Sequence, residues 1–303
     1  MGQKHSSPLT IEGHLSLEAL ISNLSNGSYK NIVVLCGAGI STNAGVPDFR
    51  SPSLGLYFKL RKYNLPYPEA VFEGQTFREN PLPFYSLVRE IYPSRLEPTD
   101  THRFLSLLHK KGVLLRVFTQ NIDALEYLGG LPEERVVEAH GSFRRSYCTK
   151  CKRTYELPWL KNAIFTPSNN EGVPKCESCG GVVRPDVVLF GENLPSRFWE
   201  CTQSDLKKAD LLFVIGTSLA VAPFNGLVNQ VKSGTPRVYL SKTKPGNSDS
   251  LLGKVMGLTS VIAFDKPNDL VLLEDCDALV RTICDRIPGW RQELKNIKVD
   301  VME

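Results

Sequence analysis

Four cysteines come in two close pairs, Cys148-x-x-Cys151 and Cys176-x-x-Cys179, with small or polar neighbours such as Thr149, Ser178, Gly180 and Gly181. Four thiolates at this spacing suit one tetrahedral Zn2+ ion, and a site closed by four thiolates has no open position for water or substrate. A zinc here is therefore expected to be structural. A redox pair and a nucleic-acid-binding ribbon are the other readings of the same spacing, although few basic residues cluster between the pairs.

A second group is built for a phosphate. The apolar run Ile32 to Leu35 leads into Cys36-Gly37-Ala38-Gly39-Ile40-Ser41, and Gly45 closes the segment. A strand feeding a tight glycine turn lets backbone lie against a diphosphate. The ordinary dinucleotide fingerprint, with an acid about 20 residues on, is not met. Instead Pro47-Asp48-Phe49-Arg50 sets a rigid turn, an anion, an aromatic face and a guanidinium in a row. This suggests a dinucleotide site whose nicotinamide end reacts.

The third group is His140, Asn121 and Asp123. Of five histidines, only His140 ends a strand-like run and precedes a glycine. A neutral imidazole near pH 7 can take a proton from a hydroxyl. Asn121 and Asp123 can hold a ribose hydroxyl and a carboxamide, or simply cap a turn.

These residues need elements to place them. Leu15, Leu17, Leu20, Ile21 and Leu24 recur at helical spacing. Strands are predicted at 31–36, 113–118, 136–139, 187–190, 210–215, 236–240 and 261–264, and helices at 99–110, 197–208, 223–232 and 276–287. Such alternation argues for a doubly wound parallel sheet, Rossmann-like, covered on both faces. Ligands bind beyond the carboxyl ends of such strands. Gly37, Gln120, Asn121, Asp123, His140, Gly216, Thr217, Ser218 and Ser241 all fall there, so the polar signals converge on one crevice. Residues 1–13 read as a polar, mobile leader. The segment 52–97, rich in proline and aromatics, reads as a helical insert, a lid or pocket wall, with most of its aromatics in the core.

Composition sets outer bounds. A 42% hydrophobic and 22% charged chain is an ordinary soluble enzyme by composition. A net charge of +4 is too mild to argue for nucleic acid. No apolar run reaches the roughly 18 residues of a membrane span, and no secretory signal opens the chain. The eight cysteines then point to a reducing compartment, cytoplasm or nucleus. Met1-Gly2-Gln3-Lys4-His5-Ser6 fits the N-myristoylation pattern or matches it by chance, and one such lipid would give only weak membrane contact.

Taken together, Gly37-Ala38-Gly39-Ile40-Ser41, Pro47-Asp48-Phe49-Arg50-Ser51, Thr119-Gln120-Asn121-Ile122-Asp123, His140-Gly141, the two cysteine pairs, Arg184-Pro185-Asp186-Val187-Val188 with Phe190-Gly191-Glu192, and Gly216-Thr217-Ser218-Leu219 resemble a sirtuin, over about residues 15 to 290. Leu56-Tyr57 and Pro66-Tyr67-Pro68-Glu69-Ala70 are similar to the class I branch that prefers acetyl-lysine. The resemblance implies an NAD-dependent protein-lysine deacetylase that releases nicotinamide and O-acetyl-ADP-ribose. Its implied partners are acetylated proteins, with histones or tubulin as candidates and no direct nucleic acid.

The resemblance also implies roles. Gly37, Ala38 and Gly39 would cradle the diphosphate of NAD. Asp48, Phe49 and Arg50 would lie on a mobile cofactor loop. Gln120 and Asn121 would meet the nicotinamide ribose, Ile122 and Asp123 would line the nicotinamide pocket, and His140 would deprotonate a ribose hydroxyl. Gly216, Thr217, Ser218 and Ser241 would bind the phosphate and ribose side, with Cys276 and Asp277 at the adenine. Val188 and Phe190 would sleeve the lysine stem. Gly191, Glu192, Ala220 and Val221 would pair with substrate backbone as an added strand.

The implied domains are a discontinuous NAD-binding unit (15–51, 98–141, 183–290), the helical insert (52–97), a zinc unit (142–182) and tails (1–14, 291–303). Three departures stand out: Ser241 where the family usually has asparagine, Ala124 where glycine is common, and an unusually basic, glycine-rich loop at 242–260. A mono-ADP-ribosyltransferase and a non-catalytic NAD-sensing or chromatin-binding zinc module remain alternatives.

Overall fold

The computed structural model describes residues 10–46, 63–91, 96–166, 172–246 and 262–301. In chain order the strands are β1 (Thr10–Gly13), β2 (Ile32–Cys36), β3 (Leu114–Thr119), β4 (Val136–Glu138), β5 (Gly141–Cys148), β6 (Thr154–Glu156), β7 (Val183–Val187), β8 (Leu211–Ile215), β9 (Arg237–Ser241) and β10 (Asp269–Leu273). The helices are α1 (Leu17–Ser25), α2 (Gly74–Glu79), α3 (Leu82–Ile91), α4 (Asp100–Lys110), α5 (Leu125–Leu128), α6 (Leu157–Phe165), α7 (Ser196–Asp205), α8 (Cys276–Asp285) and α9 (Trp290–Lys295).

Seven strands form one sheet in the order β1-β10-β9-β8-β2-β3-β4. All neighbours run parallel except β1, which pairs antiparallel with β10. From β2 the chain steps outward one way through β3 and β4, then returns to β8 and steps the other way. The order therefore reverses between β2 and β8, and ligands of such sheets bind at that reversal.

The central strands are apolar throughout because both faces are covered. Alternation sends Ile32, Val34 and Cys36 to a core with Phe104, Leu108, Leu279 and Ile283. Val33 and Leu35 turn the other way, to Phe198, Leu206 and Phe224. Helix starts follow local chemistry: Ser16 Oγ accepts from Ala19 N at 3.1 Å, and Asp275 caps α8 through the N–H groups of Asp277 and Ala278.

β5, β6 and β7 make a separate three-stranded antiparallel sheet. The unit around the cysteine pairs has few apolar residues and reads as too small to bury much core, yet Phe143, Tyr155, Leu160, Ile164, Val183 and Val187 are buried. They share one core with Val71, Phe77, Phe84, Tyr85 and Val88 of the helical insert. Phe77, Phe84 and Tyr85 meet edge to face, and the Tyr85 hydroxyl donates to the Val183 carbonyl. Two segments that look independent in sequence thus complete each other.

Several elements differ from expectation. Thr10–Gly13 is a strand rather than leader, held by pairing with β10. The strand expected at 187–190 lies at 183–187, because it pairs with β5 from Gly141 to Cys148. Residues 262–264 are not strand; Ile262 is buried, and Phe264 packs on Tyr239 and under the Arg237 guanidinium. The strand falls instead at Asp269–Leu273, where Asp269 accepts from Arg237 Nε at 2.7 Å in a fully buried ion pair. The expected helix at 223–232 is a 3-10 segment, Phe224–Asn229. Residues past 290 are not a free tail: Trp290, Leu294 and Ile297 are buried against the main core.

Candidate functional site

The turn after β2 locks onto the loop after β8. Gly37 N donates to Ile215 O at 3.2 Å and Gly39 N to Gly216 O at 2.8 Å. A Cβ on Gly39 would lie 2.7 Å from Gly216 Cα and 2.8 Å from its carbonyl oxygen. Gly216 has φ +64°, and a Cβ there would lie 2.6 Å from Ile40 N. Neither glycine can carry a side chain, and the chain then curls through two 3-10 turns, Ala38–Ile40 and Thr42–Ala44. Gly39→Ala is expected to lower the unfolding free energy by about 3 kcal/mol, at the upper end of overpacking costs. Urea denaturation reads it; a loss below about 1 kcal/mol would show that the two loops can part.

The loop after β3 braces the same turn. Gln120 Nε2 donates to Thr217 Oγ1 at 2.7 Å, joining the loops after β3 and β8 across β2. Asn121 Nδ2 reaches Gly37 O at 3.3 Å and Ser41 Oγ at 3.1 Å. Its amide nitrogen faces the glycine turn, so the amide oxygen is what Asn121 can offer a ligand. Asp123 Oδ1 accepts from Leu125 N at 3.0 Å. Burial pushes the Asp123 carboxyl up from the ordinary carboxylate value. Ala124 sits in the left-handed region at φ +64°. This is the position where the resemblance expects glycine, so the turn is made at the cost of some Cβ strain.

His140 lies past the end of β4, half-buried. Its Nδ1 is 3.0 Å from the Gln120 carbonyl. A carbonyl only accepts, so Nδ1 carries the proton in the neutral ring and Nε2 the lone pair. Backbone thus fixes the tautomer a base needs. Gly141 follows at φ +67°, where a Cβ would run into the Asp186 carbonyl. Val188 N donates to the His140 carbonyl at 2.8 Å, so the imidazole and the 188–190 segment are neighbours. There Val188 and Phe190 are half-exposed while Leu189 between them is buried. Phe190 also bridges Glu73 in the helical insert.

Other candidates use their side chains internally. Both Glu192 oxygens accept from Arg184, at 2.7 and 2.8 Å, and Leu189 N adds a third bond. Asp277 accepts from Thr101 N at 2.8 Å, Thr101 Oγ1 at 2.6 Å and Asn43 Nδ2 at 2.9 Å. Cys276 is buried with its thiol 3.7 Å from Leu240 O. Cys276 and Asp277, both buried, are left to meet a ligand through backbone. Ser218 is half-buried beside Thr217, and Ser241 ends β9 with Thr243 N 3.5 Å from its hydroxyl. Ile122 packs on the smaller core, and Ala220 is buried beside the half-exposed Val221. Gly191 is exposed at φ +86°. Asp48, Phe49 and Arg50 lie outside the described residues, as do Gly2, Leu56 and Tyr57.

The four paired cysteines converge. Cys148 and Cys179 sulfurs are 3.5 Å apart, Cys151 and Cys176 sulfurs 3.6 Å, and all four lie within 4.8 Å of one another. Tetrahedral bonds of about 2.3 Å to zinc place sulfurs roughly 3.8 Å apart. The set fits one zinc with no open position. The Tyr155 hydroxyl, 3.1 Å from Cys176, draws that thiol down to about 6, toward the thiolate a metal needs. Gly181 is forced here too, since its Cβ would sit 2.8 Å from Cys148 Sγ.

Two residues with no sequence signal complete the region behind Asp123: His102 on α4 and Glu126 on α5, both fully buried. The Thr99-x-x-His102 start of α4 reads only as a helix cap, which it also is.

A reversed parallel sheet with glycine turns interlocked at the reversal, a backbone-oriented imidazole beside them and a thiolate-stapled small sheet define a dinucleotide-binding α/β protein with a structural zinc. The chain belongs to the Sir2 family, whose model matches residues 37–223. It is 43% identical over 288 residues to the NAD-dependent protein deacetylase sirtuin-2 of Danio rerio, covering 93% of this chain and 74% of that one. It is 44% identical to the NAD-dependent deacetylase sir2A of Dictyostelium discoideum, of which it spans 53%. To the NAD-dependent protein deacetylase hst2 of Schizosaccharomyces pombe it is 41% identical, over 95% of this chain and 80% of that one.

Proposed function

We propose that this protein is an NAD-dependent protein-lysine deacetylase. The observation that carries the reading is His140. Its Nδ1–H is fixed on the Gln120 carbonyl, so Nε2 serves as a base beside the interlocked glycine turns. NAD fits because a Cβ on Gly37 or Gly39 would strike Thr217 or Gly216, so the interlocked turns stay bare backbone at the reversal of the sheet, where a diphosphate would lie.

When bound, NAD supplies an anomeric carbon from which nicotinamide leaves and an ADP-ribose that takes the acetyl group. The protein's own groups do the rest. Gly37, Ala38 and Gly39, with Gly216, Thr217 and Ser218, would hold the phosphates, and Ser241 the far ribose. Cys276 and Asp277 would lie at the adenine. Asn121, braced on Gly37 and Ser41, would present its amide oxygen to the near ribose, with Gln120 beside it. Asp123 would accept from the carboxamide amine. His140 Nε2 would remove a proton from a ribose hydroxyl, which turns that oxygen into the acceptor of the acetyl group. Val188 and Phe190 would enclose the lysine stem and keep water from it. Gly191, Ala220 and Val221, and Glu192 through its backbone, would pair with extended peptide.

Acetylated proteins are the substrates in this reading, with histones and tubulin as the first to try. A cytoplasmic or nuclear setting agrees with eight cysteines that are all free of disulfides. No described helix is long and apolar enough to cross a membrane. Gly2 is proposed as a myristate acceptor, and intact mass of the protein from its own cell decides it.

The test is an acetyl-lysine peptide incubated with NAD, following nicotinamide release and peptide mass together. Loss of one acetyl per nicotinamide supports the reading. ADP-ribose on an acceptor protein would replace it by a mono-ADP-ribosyltransferase, and no product at saturating NAD by a binding module.

A further inference from the structure

Behind Asp123 three ionisable side chains meet, with His102 and Glu126 buried and Asp123 half-buried. Ligating atoms of His102, Asp123 and Glu126 all lie within 4.8 Å of one another. His102 Nδ1 accepts from Thr99 N at 3.2 Å, and Thr99 Oγ1 donates to Ile40 O at 2.9 Å. The ring proton is therefore on Nε2. That Nε2 is buried and has no hydrogen-bond partner in the protein.

Two carboxyl groups this close, one of them fully buried, do not both ionise near neutral pH. Their surroundings differ. Asp123 receives the Leu125 N–H and the Ser41 hydroxyl, which favour its charged form. Glu126 is 1% exposed, and burial with the Asp123 charge pushes it up to about 8. His102 stays neutral, held down to about 3 by burial. The other groups facing Glu126 are the buried Cys36 thiol, 3.9 Å away at the end of β2, Thr119 at the end of β3, and Glu138 on β4. Burial pushes the Glu138 carboxyl up as well, partly offset by Ser142 and Arg144. Tyr127, on the same helix as Glu126, also feels its charge.

We propose that Glu126 is a positioning residue which keeps one proton in this trio, leaving Asp123 as the single charge that accepts from the carboxamide amine of nicotinamide. The proposal rests on the deacetylase reading. His102 adds no charge of its own to the pair. Ionising Glu126 adds a second, unmatched charge, which draws water into the space and loosens Asp123.

The sign of the stability effect follows from the raised value. The folded protein retains a proton that the unfolded chain gives up between about 4.5 and about 8, so Glu126 lowers stability progressively as pH rises through that window.

The test uses the whole protein and Glu126→Gln. Urea denaturation of both from pH 5 to 9 is expected to show the variant gaining on the wild type as pH rises. Nicotinamide inhibition of peptide deacetylation is measured from pH 7 to 9. The wild-type inhibition constant is expected to rise at least threefold, and that of Glu126→Gln to stay level, since the amide donates as a protonated carboxyl does without titrating. A level wild-type constant, or a variant that follows the wild-type rise, overturns the proposal. A parallel pH dependence of stability in the two proteins overturns it as well. If the peptide is never deacetylated, the function reading fails while the denaturation comparison still reads the proton on Glu126.

Discussion

His140→Ala is expected to lower kcat for deacetylation by roughly 10²–10⁴-fold, the usual contribution of a positioned general base. Affinity for NAD should change little, because the ring's Nδ1 is held by the Gln120 carbonyl. The phosphate cradle is held by separate bonds, Gly39 N to Gly216 O and Asn121 Nδ2 to Gly37 O. Kinetics with calorimetric NAD titration separate the two effects. Turnover within threefold of the wild type would remove His140 from the chemistry. Parallel loss of turnover and NAD affinity would make it a binding residue.

Removing zinc should act far from the metal. Structural zinc supplies on the order of 10 kcal/mol of folding free energy to small thiolate domains. Here the stapled sheet shares its core with the helical insert. Phe190, beside that core, bridges Glu73 of the insert. Chelation, or Cys148→Ser, is therefore expected to unfold the small sheet, loosen the 63–91 segment and abolish deacetylation, while the seven-stranded sheet persists. Hydrogen exchange resolved along the chain checks this. Loss of protection confined to 141–187, with 63–91 unaffected, would show that the two segments fold separately.

The main sheet and its crevice were legible because their signals are local. Apolar runs end in Gly37, Gln120, His140, Gly216 and Ser241, and strand ends are where such folds bind ligands. The parts that were not legible depend on partners distant in sequence. Thr10–Gly13 is polar and short, and only β10 makes it a strand. Of two neighbouring apolar runs, Asp269–Leu273 became the strand because it pairs with β9 and its Asp269 meets Arg237. The core of the stapled sheet was hidden because part of it comes from the helical insert, through Val71, Phe77, Phe84, Tyr85 and Val88. His102 and Glu126 escaped for the same reason: they lie 24 positions apart and meet only when α4 and α5 pack. Ala124 was the reverse case, since a departure visible in sequence proved to be a left-handed residue.

The outer boundary of the large sheet has a bearing on how the molecule behaves in a crowded solution. β10 carries Leu270, Val271, Leu272 and Leu273 in succession, and β1 shields its open side over four residues. Unshielded apolar strands recruit one another between molecules. A chain begun at residue 14 is thus expected to self-associate as its concentration rises, visible by light scattering. Full-length protein scattering just as strongly would show that the first strand gives no such protection.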